Sequence, residues 1–148
     1  MRKDRTDNTG LCMNVLESAL YAANLEETAA FYADILGLEE ITRVDGRHVF
    51  FRAGAGVVLL FRPSATEEPP PPGARLPVPP HGAHGPGHLC FAGTAAEIAD
   101  WAGNLRTNGI EIEADFEWPQ GGRSIYFRDP AGNSIEIAEP RIWGLTRY

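Results

Sequence analysis

The sequence predicts an α+β fold built from two copies of one strand–helix–strand–strand–strand unit (βαβββ). Three observations carry this. Helix-capping pairs recur 70 residues apart, at Asn24 with Glu27 and at Thr94 with Glu97. Glycines suited to stopping those helices recur 72 apart, at Gly37 and Gly109. Each helix is then followed by three short runs of alternating or apolar residues separated by glycine-bearing turns. Two such patterns in register indicate an internal duplication.

The elements follow in order. "LESALYA" alternates, so Glu17, Ala19 and Tyr21 share one face while Leu16, Ser18 and Leu20 face a helix. That helix opens at Asn24, with Glu27 as its capping-box partner, and carries Leu25, Phe31, Tyr32, Ile35 and Leu36 on its buried side before Gly37. "EEITRVDG", "RHVFFRAG" and "GVVLLFRP" read as the three following strands. The segment from 63 to 87 holds nine of the chain's 12 prolines and reads as an irregular connection, part extended and part mobile, and the least ordered stretch of the domain. The second copy runs through "GHLCFA", a helix from Thr94 to Gly109 with Ile98, Trp101 and Leu105 inward, and then "IEIEADFEW", "RSIYFRDP" and "NSIEIAEP". The chain is thus one domain over 1–148, with a first module at 14–62, a Pro/Gly-rich connection at 63–87 and a second module at 88–140.

Composition narrows the partners. A chain of 148 residues with 43% hydrophobic content can bury a core. A net charge of −7 with only 13 Lys and Arg, scattered, argues against nucleic acid. Apolar runs such as "VVLLF" are too short to span a bilayer, and "MRKDRTDNTG" leads into no signal region, so no membrane and a cytoplasmic location are expected. Cys12 and Cys90 form no motif with each other or with histidine, which fits a reducing compartment.

Superposing the halves places Glu17 where the second copy has His88, and Leu59 or Leu60 where it has Glu136. If the two sheets face each other across a pseudo-twofold axis, Glu17, His88 and Glu136 converge. A lone acid between Ile135 and Ile137 then has a purpose: it is aimed into a cleft.

"NLEETAAFYADILGLE", "GHLCF" and "GRSIYFRDPAGNSIEI" together resemble the vicinal oxygen chelate superfamily, the glyoxalase, bleomycin-resistance and extradiol dioxygenase proteins, over about residues 14 to 140. The resemblance implies two βαβββ modules in a half-open mixed β-barrel flanked by helices, one divalent metal per chain and a homodimer. It puts metal ligands at Glu17, His88 and Glu136. Two carboxylates and one imidazole suit Mn²⁺, Mg²⁺, Zn²⁺ or Fe²⁺, the extra carboxylate favouring the harder ions. The sequence departs from the family in having Glu17 where His or Gln is usual, and Leu59 where a glyoxalase I has its fourth ligand. That disfavours glyoxalase I and leaves a fosfomycin-resistance-like or dioxygenase-like enzyme, whether lyase, isomerase, transferase or dioxygenase, acting on a small molecule with vicinal oxygens.

Glu136 and Tyr126 are the expected catalytic residues. Tyr126 shares the parity of Ser124 and Arg128 and can donate to an oxyanion. Arg123, Tyr126 and Leu59 are the expected substrate contacts, Arg123 through a bidentate grip on an anion. His48 is as readily packed as functional, His81 and His84 lie on the Pro/Gly loop, as a mobile flap or exposed to solvent, and Trp143 covers apolar surface or a partner chain. The alternative is a metal-free binding protein of the bleomycin-resistance type, with Glu17 and Glu136 forming an acidic pocket for a cationic ligand.

Overall fold

The computed structural model describes residues 13–146. The first module comprises β1 (Glu17–Tyr21), α1 (Leu25–Ala30) running on into a π-helical turn (Phe31–Ile35), β2 (Glu39–Val44), β3 (His48–Ala53) and β4 (Gly56–Phe61). The second comprises β5 (His88–Ala92), α3 (Ala95–Thr107), β6 (Ala114–Glu117), β7 (Arg123–Arg128) and β8 (Ser134–Ala138), with a 3₁₀ turn at Pro140–Trp143. Each forms a four-stranded mixed sheet, ordered β1-β4-β3-β2 and β5-β8-β7-β6, whose first pair is parallel and whose others are antiparallel. The duplication is therefore exact at the level of topology, and the two sheets make a half-open rather than a closed barrel.

One core lies between the helices and the helix-facing sides of both sheets. Tyr32, Phe51, Leu60, Ile98, Leu105, Ile125, Phe127 and Ile135 are fully buried in it, and the Phe31 and Phe127 rings meet across the module boundary at 6.2 Å. Strand alternation does the sorting: Ile125 and Phe127, Ile135 and Ile137 go inward, leaving Ser124, Tyr126 and Glu136 on the opposite face.

Three expectations need correcting. Thr94 and Glu97 form a full capping box, with Glu97 N–H donating to Thr94 Oγ1 at 3.1 Å and Thr94 N–H to Glu97 Oε1 at 3.2 Å. Asn24 caps no backbone N–H; its amide instead donates to Glu27 Oε2 at 3.0 Å and to the Pro130 carbonyl, in the other module, at 3.1 Å. The alternating "IEIE" at 110–113 is not strand, because β6 is paired only from Ala114, opposite Tyr126, to Glu117, opposite Arg123. Ile110 and Ile112 instead pack on the core from an irregular segment. The connection 63–87 contains a helical turn, α2 (Pro63–Thr66), started by a proline at its first position. The rest folds back rather than standing free: His81 N–H donates to the Thr66 carbonyl at 2.9 Å and His84 pairs with Glu67.

The two modules meet where β1 touches β5. The "DPAGN" turn after β7 clamps them. Asp129 accepts from Tyr32 Oη–H at 2.6 Å and from Asn133 Nδ2 at 2.9 Å. Asn133 in turn donates to the Tyr21 carbonyl at 3.1 Å and accepts from Gly87 N–H at 2.8 Å. A Cβ on Gly87 would lie only 3.3 Å from Leu20 and 3.4 Å from Asn133, so a residue without one lets the start of β5 sit against the end of β1.

Candidate metal centre

The registers place Cys90, Glu136 and Tyr126 side by side across β5, β8 and β7, with His88 two residues before Cys90 on the same face. Glu136 is 5% exposed. Its Oε1 lies 3.3 Å from His88 Nε2. His88 Nδ1 lies 3.0 Å from the Ser134 carbonyl, and since a carbonyl only accepts, Nδ1 carries the proton. A neutral His88 therefore turns the lone pair of Nε2 toward a carboxylate oxygen, and two acceptors face each other. A proton or a cation must sit between them. Donor atoms bound about 2.1 Å from one octahedral ion are about 3 Å apart, so the pair suits two adjacent ligand positions of a divalent metal.

The surroundings keep the neighbours protonated. Burial, and then the Glu136 carboxylate, push the Tyr126 phenol up to about 12, so it remains a hydrogen-bond donor at neutral pH. The same two causes push the Cys90 thiol up to about 12, so without a metal it stays a neutral thiol and is no nucleophile. Ser124, fully buried, donates to Glu136 Oε2 at 2.6 Å. Tyr126 lies between two near-parallel rings, His88 at 6.2 Å and Phe116 at 5.8 Å, and Trp118 meets Phe116 edge-on at 4.9 Å. The result is a metal-suited pair at the foot of an aromatic wall.

Other expected site residues lie elsewhere. Glu17 is exposed at the far end of β1 from Tyr21, four residues or about 13 Å of strand away, while the start of β5 abuts that Tyr21 end. The sheets of one chain lie side by side instead of face to face, so Glu17 does not converge with His88 and Glu136. Among the described residues no three His, Cys, Asp or Glu side chains group to hold a metal. Arg123 is on the face opposite Glu136, where Nε and Nη2 grip both Asp115 oxygens at 2.9 and 2.8 Å. That bidentate pair, which lowers the Asp115 pKa, occupies the fork expected for an anionic substrate. Leu59 faces the open side of the first sheet, between Ala19 and Phe50, where the second sheet has Glu136 between Cys90 and Tyr126.

That first-sheet face is lined with rings. His48 stacks on Phe50 at 4.0 Å, and Phe61 packs against His81 at 4.6 Å. Arg47 donates to His48 Nδ1 at 2.6 Å and lies 5.8 Å over the Phe61 ring. Burial, then the Arg47 charge, lowers the His48 pKa. His81, expected on a mobile flap or in solvent, is half-buried and bonded through Nδ1 to the Tyr21 hydroxyl at 2.7 Å; His84 is exposed. Trp143, expected to cover a surface, is 78% exposed in the single chain. Cys12 lies outside the described residues. Sequence reasoning gave Trp118 no role, although its indole N–H reaches Ser124 Oγ at 2.8 Å; only the turn geometry reveals it.

The family model described as Glyoxalase/Bleomycin resistance protein/Dioxygenase superfamily matches residues 14–137. The virulence protein STM3117 of Salmonella typhimurium is 31% identical over 124 residues, 81% of this chain and 79% of that protein. The crystal structure titled lactoylglutathione lyase from Agrobacterium tumefaciens superposes with a TM-score of 0.83 at 41% identity, over 89% of this chain and 97% of that one. A fosfomycin resistance protein, FosX, from Listeria monocytogenes shares the fold, with a TM-score of 0.63 at 21% identity over 87% of this chain and 94% of its own.

Proposed function

Because the chain belongs to the glyoxalase/bleomycin resistance protein/dioxygenase superfamily, we propose that it is a divalent-metal-dependent enzyme acting on a small molecule with adjacent oxygens. The observation that carries this reading is the facing of His88 Nε2 and Glu136 Oε1 at 3.3 Å, with Nδ1 already committed to a carbonyl. His88 and Glu136 supply two ligands. A symmetric homodimer that lays the first sheet of one copy over the second sheet of the other lets the partner subunit's Glu17 supply the third, and turns the Leu59 and Phe50 face toward the aromatic wall of Phe116 and Trp118. The bound ion, Mn²⁺ or Mg²⁺ before Zn²⁺ or Fe²⁺ given two carboxylates, supplies Lewis-acid stabilisation of substrate oxygens. Tyr126, protonated, donates to a developing oxyanion, and Glu136 fixes the charge of the site.

The likeness to a protein titled lactoylglutathione lyase favours a second reading, action on a glutathione thioester or hemithioacetal. Leu59 argues against it, since an apolar side chain stands where the duplicated frame would place a fourth ligand. The bleomycin-resistance alternative, a metal-free pocket for a cation, leaves the facing acceptors bridged by a proton alone. Metal analysis of protein purified without chelators, together with sedimentation before and after EDTA, tests these readings. About one Mn, Mg, Zn or Fe per chain in a dimer supports the proposal. Metal-free protein that binds no added metal ends it, and turnover of methylglyoxal with glutathione would favour the lyase reading.

A further inference from the structure

The Glu136 carboxylate is aimed by a chain of two hydrogen bonds that begins at the cleft wall. Trp118 Nε1–H donates to Ser124 Oγ at 2.8 Å, and Ser124 Oγ–H donates to Glu136 Oε2 at 2.6 Å. An indole N–H can only donate, so the serine oxygen must accept from it, and the single hydroxyl proton is left for the carboxylate. The direction of the chain is thereby fixed. Ser124 is fully buried, so no solvent molecule replaces either partner. With Oε2 taken, Oε1 is the oxygen turned toward His88 Nε2.

The indole is held in place by backbone rather than by charge. In "WPQGG" the Gly121 N–H donates to the Trp118 carbonyl at 2.8 Å and the Trp118 N–H to the Gly122 carbonyl at 2.9 Å. Both glycines have positive φ, 94° and 100°, and a Cβ on Gly122 would lie 2.5 Å from Ile142 Cγ2. The turn therefore closes only with glycine, and it sets the indole edge over Ser124. Trp118 also covers Ser124 from the open side while its own ring remains 36% exposed.

We propose that Trp118 and Ser124 are positioning residues that orient Glu136 as a ligand and so set the metal affinity of the site. This rests on the metal reading above. Hydrogen-bond partners behind a ligating side chain commonly govern affinity by 10- to 100-fold.

Calorimetric titration with Mn²⁺ tests the inference in wild type, Ser124→Ala and Trp118→Phe, with sedimentation confirming the same assembly state. Ser124→Ala is expected to weaken binding by about tenfold or more, and Trp118→Phe, which keeps the ring but loses the N–H, by several-fold. A mutation-free readout accompanies it: in ¹⁵N-labelled wild type, the Trp118 indole N–H resonance should shift on Zn²⁺ addition while that of Trp101, on α3, does not. Equal Mn²⁺ affinity in all three proteins, or an unmoved Trp118 resonance in protein that binds Zn²⁺, overturns this inference and leaves the metal reading standing. Wild type that binds neither ion overturns both.

Discussion

Replacing Glu136 with glutamine keeps the volume and removes the charge, and the structure gives its effect opposite signs with and without metal. In metal-free protein the glutamine oxygen can accept from Ser124 in place of Oε2, while its NH₂ donates to His88 Nε2, the lone pair that now faces a carboxylate at 3.3 Å. A pair that needs a bridging proton becomes a donor and an acceptor that need none, so stability should be unchanged or should rise. With metal the result reverses. At an ion concentration of 100 times Kd the wild type gains about 2.7 kcal/mol, which for a chain of this length is a rise of about 5–11 °C in Tm. Losing a carboxylate ligand should weaken binding by about tenfold or more, leaving at most about 1.4 kcal/mol of stabilisation at the same ion concentration. The rise should shrink to about 3–6 °C or less. The assay is thermal melting of both proteins at one protein concentration, in EDTA and in Mn²⁺. Equal metal-induced rises in wild type and Glu136→Gln, or a marked loss of Tm in EDTA for the variant, would refute the reasoning.

Other perturbations have equally definite outcomes. Gly122→Ala forces a side chain to φ 100° and 2.5 Å from Ile142; we expect a cost of about 1–3 kcal/mol, read by urea denaturation, and a midpoint equal to wild type would contradict the contact. Tyr32→Phe leaves the buried Asp129 without its 2.6 Å donor and should cost about 1–3 kcal/mol, with no loss showing that Asn133 and the backbone already satisfy that carboxylate. His48 has a folded pKa below its ordinary value, through burial and then Arg47. Its neutral form is favoured on folding, so its contribution is complete above the unfolded value of about 6.5 and declines as pH falls through the lowered folded value. Urea midpoints from pH 7.5 to 5 should therefore fall more steeply in wild type than in His48→Gln, and parallel curves would remove His48 as the cause.

The topology was legible because it depends on periodicity and punctuation. Alternation around Ile125, Phe127, Ile135 and Ile137 sorted core from cleft correctly, and Gly37 and Gly109 do stop the helices at positive φ of 68° and 72°. The His88–Glu136 pair followed from the same register logic. What failed was long-range. Asn24 looks like a cap, but its partner, Pro130, is 106 residues away, and no local pattern announces that. The "IEIE" run has the period of a strand, but only its last residue, Glu113, bonds to β7, through the Tyr126 carbonyl, and Ile110 and Ile112 pack on the core instead. Arg123 has the chemistry of an anion clamp, yet its parity puts it beside Asp115. Glu17 was placed by symmetry in the correct strand and register, but the sequence does not encode which faces oppose one another, and in one chain the sheets lie side by side.

The clamp formed by the turn after β7 governs how a ligand can travel. For the modules to swing apart, the bonds from Asn133 to Tyr21, from Tyr32 to Asp129 and from Asn24 to Pro130 would have to break together. At about 1 kcal/mol each, that is about 3 kcal/mol, an open fraction on the order of one molecule in a hundred before any apolar contact is counted. The two halves therefore do not breathe like the jaws of a hinge. Access to His88 and Glu136 therefore runs across the open faces of the sheets, and on the first of these the proline-rich connection is fastened by the Tyr21–His81 bond and the packing of His81 on Phe61.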